Sequence, residues 1–172
     1  MAGDNATQQR ALDSFHAVMA QLDGTMLLVT AASSDGEQNG CLVGFATQCG
    51  IDPARYMVFL SKANHTFDVA QQADALGVHF PAPEQTDIAA RFGTRTGDRT
   101  DKMGNEAWHP GPHGVPILEE VARWFVGRVL ERIDCGDHVG FLLDPIAANA
   151  SQHDLRQLGF QAVKELDAGH DA

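Results

Sequence analysis

The stretch TQCGIDPARYMVFLSKANHTFDVA, residues 47–70, decides the fold. Small polar residues, Thr47-Gln48-Cys49-Gly50, precede an Asp52-Pro53 turn signal. An apolar run over 56–60 follows, and then Ser61-Lys62-Ala63-Asn64-His65-Thr66. A short apolar run bounded by turn residues reads as a strand. The segment after it reads as a helix over about 64–74, with Asn64 placed to accept from an orphan first-turn amide.

Outward from this stretch the chain keeps a strand rhythm. Runs over 26–31 and 41–47 flank SSDGEQNG and read as an antiparallel pair. A further strand is expected over 76–80, stopped by Pro81 and Pro83, and a short helix over 88–92. Residues 93–116, rich in Gly and Pro, read as an extended loop. Runs over 124–133 and 138–143 read as two strands joined at Asp134-Cys135-Gly136-Asp137. Ahead of them all, Leu12, Phe15, Val18, Met19 and Leu22 recur at three-and-four spacing, so residues 5–22 are expected to form a helix with one face on the core. Residues 150–172 read as a final helix or tail. Strands dominate and no βαβ alternation runs through the chain, which points to an antiparallel barrel over about 24–149 with peripheral helices.

At 172 residues the chain suits one domain, 1–172. Apolar residues are 44% and charged residues 20%, a globular composition. The net charge of -11 repels polyanions, so nucleic acid and anionic membrane surfaces are unsuitable partners. The polar N-terminus carries no apolar leader, and Cys41, Cys49 and Cys135 lack CxxC spacing, so reduced thiols and a cytoplasmic setting are expected.

A strand that feeds a helix near Asn64 presents amides with partial positive charge. Ser61, Asn64 and Thr66 add hydrogen-bonding groups and Lys62 a compact cation, so the segment reads either as an anion site or as an ordinary cap. Thr47, Gln48 and Cys49 read either as a turn or as a set of amides facing a planar heterocycle. A five-residue strand spans roughly 17 Å, so the two clusters suit the ring and phosphate ends of one mononucleotide.

Three blocks in order, NGCLVGFATQCGIDPARYMVFLSKANHT, IAARFGTRTGDRTDKM and WFVGRVLERIDCGDHVGFLLDPIA, resemble the flavin reductase-like proteins with an FMN-binding split β-barrel. The Gly-Asp-His at 136–138 is a hallmark of that family. The resemblance implies a mainly β chain, an antiparallel split β-barrel of Greek-key type with peripheral helices. It implies NAD(P)H-dependent reduction of FMN, with FAD as the larger alternative, and delivery of reduced flavin to a partner flavin-dependent monooxygenase. A homodimer follows from the same resemblance. It sets Thr47, Gln48 and Cys49 along the flavin ring, and Ser61, Lys62 and Thr66 at the phosphate. Phe92, Gly93 and Lys102 fall near the flavin or its partner nucleotide, and His138 near the nicotinamide. Gly50 and Ala54 depart from the family's more usual Ser and Pro. The alternative function is a non-catalytic flavin carrier or sensor, with residues 93–116 blocking a nicotinamide.

Other conspicuous residues have plainer readings. Arg91, Arg95, Arg99 and Lys102 are interleaved with Asp98 and Asp101, which reads as a mixed-sign surface or as a nucleotide-phosphate site. His109 and His113 sit among Pro and Gly, so no helix aligns them on a metal, and no metal site is expected. Trp124 and Phe125 read as core or interface aromatics.

Overall fold

The computed structural model describes residues 2–94, 102–150 and 156–166. Among them lie α1 (Ala2–Met19), β1 (Leu27–Ala32), β2 (Gln38–Val43), β3 (Ala46–Ile51), β4 (Ala54–Ser61), α2 (His65–Gln71) and β5 (Ala75–His79). After these come α3 (Thr86–Gly93), β6 (Trp108–Pro110), β7 (Pro116–Leu118), β8 (Trp124–Asp134) and β9 (His138–Asn149). Seven strands form one sheet in the order β2-β1-β5-β8-β9-β4-β3, antiparallel at every pairing, and β6 and β7 make a separate hairpin. The chain is therefore mainly β, with three α-helices among the described residues.

The sheet cannot be flat. Its two edge strands, β2 and β3, are consecutive in the chain, with only Gly44 and Phe45 between Val43 and Ala46. Flat, six spacings of about 4.8 Å would hold those edges about 29 Å apart. A two-residue link spans no more than about 11 Å. The sheet must curl until its edges approach, and the Phe59 amide donating to the Phe45 carbonyl at 2.9 Å fixes the link beside β4.

This corrects the reading of 41–47 as one strand. The apolar run is continuous, but the chain changes edge at Gly44-Phe45, and Thr47–Gly50, read either as a turn or as amides facing a heterocycle, lies in β3. Register shifts between Val126 and Gly127 and between Val129 and Glu131 mark irregularities in the long β8–β9 ribbon.

Inside the curl pack Leu27, Val29, Val58, Leu60, Leu76, Val78, Phe141 and Leu143, all essentially without exposure. On β4, Tyr56, Val58 and Leu60 face this core, so Arg55, Met57, Phe59 and Ser61 face the other way. Helix α2 is capped by Asn64, whose side chain accepts from the Thr66 amide at 3.0 Å. Beyond its other end Arg132 donates to the carbonyls of Ala70 and Ala73, at 3.3 and 2.8 Å. Trp124 and Phe125 pack as core aromatics, Phe125 edge-on to Tyr56 at 5.1 Å.

The N-terminal helix forms as expected, but its expected seat on the core does not. Every side chain described from residue 5 to 25 is exposed, so α1 does not lay a face on its own core. Within 156–166 only Phe160–Ala162 is helical, a single 3-10 turn. The segment bridges Thr25 at Gly159, turns, and buries Leu158 and Val163 against Met26 and Ala89.

His79 is fully buried on β5; its Nε2 accepts from the Leu118 amide at 3.1 Å, and Nδ1 lies 3.4 Å from the Leu28 carbonyl. These partners fit a neutral ring, and burial depresses its pKa from 6.5 to about 4. The unfolded chain therefore binds more protons between those values. The stabilisation is complete above about pH 6.5 and is lost as pH falls toward 4, by as much as about 3 kcal/mol. Urea midpoints should drop between pH 7 and pH 4.5 in the wild type, and His79→Gln should flatten that dependence.

Candidate functional site

The outward face of β3, β4, β9 and β8 can be mapped from register alone. One row runs Phe45, Phe59, Gly140, Ile133, and the next runs Thr47, Met57, Leu142, Glu131. At one end of this face Ser61 pairs with His138, and at the other Arg55 and Arg128 share Asp144, at 2.8 and 2.6 Å. Gly140 has a packing reason to lack a side chain. A Cβ there would lie 2.9 Å from Phe59 Cε1 and 3.1 Å from Met57 Sδ, so the glycine lets both side chains lie flat across the sheet. Phe45, 63% exposed, stands beside them, and the result is an apolar floor with polar ends.

The Ser61 end is laced by backbone. The Lys62 amide donates to the Asp137 carbonyl at 2.9 Å, and the Asn64 amide to the Ser61 carbonyl at 3.0 Å. The Ser61 hydroxyl accepts from the Ala63 amide at 3.3 Å. Lys62 Nζ reaches both Asp134 oxygens, at 2.9 and 2.8 Å, and Asp134 also accepts from the Gly136 amide. Lys62 and the Gly136 amide hold the Asp134 carboxyl below the usual carboxylate range, and His138 does the same for Asp137. His138 Nδ1 lies 2.9 Å from Asp137 Oδ1, and its ring sits 5.2 Å from that of Phe45. If Nδ1 carries the proton toward Asp137, Nε2 is left to a ligand.

The structure thus brings Ser61 and His138 together, with Lys62 next in the chain and its ammonium held by Asp134. Thr47, Gln48 and Cys49 lie on the neighbouring edge strand, all exposed, where alternate backbone groups face away from β4. Thr66 goes elsewhere. Its side chain is fully buried and its hydroxyl donates to Asn39 Oδ1 at 3.1 Å, pointing into the fold rather than toward a phosphate. Asn64 acts as the cap.

Phe92, Gly93 and Lys102 form a separate inner group. Phe92 is buried with Leu28, Ile88 and Met103, and Gly93 lies against Leu42. Lys102, 5% exposed, donates to the carbonyls of Gly40 and Phe92, at 3.1 Å each. Its role here is to tie the chain after α3 to β2, and through neighbouring Asn39 to Thr66. Next to this group Cys41 is buried, and its thiol is pushed up to about 11 by burial, against the opposing pull of Lys102. Cys49 and Cys135 are exposed.

Arg91 is not open to an anion. Glu106 grips its guanidinium at 2.7 and 3.1 Å, and Glu120 adds a contact at 2.7 Å. Arg95, Arg99, Asp98 and Asp101 lie outside the described residues. His109 and His113 face different carboxylates, Glu119 and Asp74, each at 3.9 Å, and neither joins a metal-sized cluster among the described residues. Sequence reasoning missed Phe45, Met57, Phe59, Gly140 and Leu142. The alternation within residues 55–61 was the available signal.

Residues 19–164 match the flavin reductase like domain, and the chain belongs to that family. It is 26% identical over 145 residues to the NADH:riboflavin 5'-phosphate oxidoreductase of Streptomyces pristinaespiralis, covering 84% of this chain and 81% of that one. Over 112 residues it is 26% identical to the stachydrine N-demethylase reductase subunit of Rhizobium meliloti (strain 1021), covering 65% of this chain and 47% of that protein. Across the first few relatives the chain spans only about a third to a half of the other protein, 35% in one case and 47% in another. Among solved structures, the FMN-binding protein of Thermus thermophilus with bound 1-cyclohex-2-enone superposes with a TM-score of 0.69 at 26% identity, covering 74% of this chain and 71% of that one.

Thr66→Val removes a buried hydrogen bond. It should cost about 1–2 kcal/mol in denaturant unfolding and leave anion binding at Ser61–Lys62 unchanged; equal stability with weakened anion binding would return the hydroxyl to the site.

Proposed function

We propose that this chain, as one domain over 1–172, is an NAD(P)H-dependent flavin reductase. It transfers hydride from a nicotinamide nucleotide to FMN and supplies reduced flavin to a partner flavin-dependent monooxygenase. The observation that carries the reading is the outer face: an apolar floor, an edge strand alongside, and Ser61, Lys62 and His138 at one end. The Streptomyces relative, aligned over most of both chains, supports NADH and riboflavin 5'-phosphate as the reacting pair. The reductase component of the flavin-dependent trigonelline monooxygenase of Acinetobacter baylyi, 24% identical over 111 residues, supports a monooxygenase as recipient. The curled sheet, with its edges drawn together by the Gly44-Phe45 link, fits a split β-barrel.

The face fits FMN. Phe59 and Met57, laid flat by Gly140, offer apolar surface to a planar ring, and Lys62 offers the cation that a phosphate requires. FMN, when bound, supplies the two-electron chemistry. The chain's own residues bind and orient. Backbone groups of Thr47, Gln48 and Cys49 border the ring, Ser61 and Lys62 hold the phosphate, and His138, steadied by Asp137, orients the nicotinamide carboxamide. Lys62 is shared with Asp134, so a bound phosphate competes with a carboxylate already there. The chain is also proposed to work as a homodimer, because Phe45 and Ile133 leave the apolar row open to a second subunit. The exposed Cys49 and Cys135 thiols fit a reducing, cytoplasmic setting. No helix described is long and apolar enough to cross a membrane.

Fluorescence titration should show saturable FMN binding and weaker riboflavin binding. Lys62→Ala should weaken FMN about tenfold and leave riboflavin unchanged, the loss of one charge-assisted contact; absence of binding by either flavin would end the reading. In stopped flow, His138→Ala should slow reduction by NADH or NADPH while FMN affinity holds. Binding without any reduction by the wild type would instead make the chain a carrier.

A further inference from the structure

Helix α1 is an arm without a seat among the described residues. Three of its polar side chains turn back on the helix: Gln9 donates to Asp13 at 2.8 Å, Arg10 to the Ala6 carbonyl and Ser14 to the Arg10 carbonyl. Its apolar stripe is open. Leu12, Phe15, Val18 and Met19, with Leu22 just beyond the helix, are each between 42% and 56% exposed. An 18-residue helix is marginal alone in water, so the stripe needs a partner.

The base of the arm is pinned to the C-terminal segment. The Phe160 amide donates to the Gly24 carbonyl at 2.8 Å, and the Gln161 amide to Asp23 Oδ1 at 2.9 Å. The Gln161 side chain donates to the carbonyls of Ala20 and Leu22, both at 3.2 Å. These bonds set where the helix leaves the fold, while its stripe stays exposed among the described residues.

The same chain offers a matching surface. Phe45, Leu130, Ile133 and Ile146 belong to or border β3, β8 and β9 and are 39% to 63% exposed. Phe45 and Ile133 are the two ends of the apolar row described above. The stripe and this sheet patch each present on the order of 500 Å² of apolar surface, by the usual side-chain areas. Burying both twice across a two-fold axis removes about 2,000 Å², the size of a specific stable interface. A self-complementary pair of patches on one chain is what an isologous dimer uses. A lipid surface suits the arm poorly, since its polar face lacks Lys and the chain carries -11.

We propose that α1 of one copy lies on the outer β8–β9 face of a second copy, beside that copy's Phe45 and His138. The proposal rests on the two-fold assembly proposed above and names its contact. Each subunit's site is then walled on one side by the other subunit's helix.

The test places the photocrosslinker benzoylphenylalanine at position 15 in the full chain. Chains with and without ¹⁵N label are mixed, allowed to exchange, irradiated, digested and analysed by mass spectrometry. Expected are mixed-label crosslinks from position 15 to residues 124–149 or 45–51. Crosslinks confined to one label, crosslinks joining α1 to α1, or no crosslink would each overturn the proposal. In parallel, sedimentation equilibrium of the Phe15→Glu, Val18→Glu double variant should show the dimer dissociation constant raised at least tenfold with the β-sheet circular dichroism retained. A dimer that persists in the variant overturns the arm and leaves the two-fold assembly standing. A monomeric wild type overturns both, and FMN titration of the same sample tells separately whether the flavin reading survives.

Discussion

The two-residue link between the edge strands is the constraint on which the rest depends. Because Gly44 and Phe45 must carry the chain from one edge of a seven-stranded sheet to the other, the sheet has to curl. Curling encloses the core of Leu27, Val58, Leu76 and Phe141 on one side. It also sets Phe45 beside Phe59 on the other, where the candidate site lies. The link is thus a fold determinant and part of the site's floor, and its phenylalanine ring lies beside that of His138.

How far the sequence spoke depended on whether a pattern was local. The β8–β9 hairpin, the cap at Asn64 and the strand over 56–60 were legible, because each is written in a few consecutive residues. The break in 41–47 was not, since apolar residues occur in both halves and hydropathy does not change where the chain changes edge. Thr47–Gly50 could be read as a turn because small polar residues serve an exposed edge strand equally well. The apolar stripe of α1 was legible as a stripe, but a three-and-four spacing says that a partner exists and not whose it is.

The site divides in the same way. Ser61 and His138 are gathered by β4–β9 register, with Lys62 next in the chain, and the resemblance of ordered blocks had already grouped them. Thr66 lies two residues beyond the cap, and the turn of the helix sends its hydroxyl inward to Asn39. Lys102 follows the same logic. A lysine amid arginines and aspartates reads as surface, yet it is buried because two backbone carbonyls, of Gly40 and Phe92, replace water around its ammonium. Arg91 shows the reverse economy, a cation already satisfied by its own fold's carboxylates.

The pairing of β4 with β9 carries a kinetic consequence. Ser61 and His138 face each other in register although α2, β5, α3 and β8 lie between them in sequence. Such contacts close a long loop of chain before they return any burial, and sheets built on them fold in milliseconds to seconds rather than microseconds. β1 with β2 and β3 with β4 are hairpins that close quickly; the face bearing Ser61 and His138 exists only once β9 has docked on β4. A newly made chain therefore has a core in progress well before it has anywhere to hold a ligand.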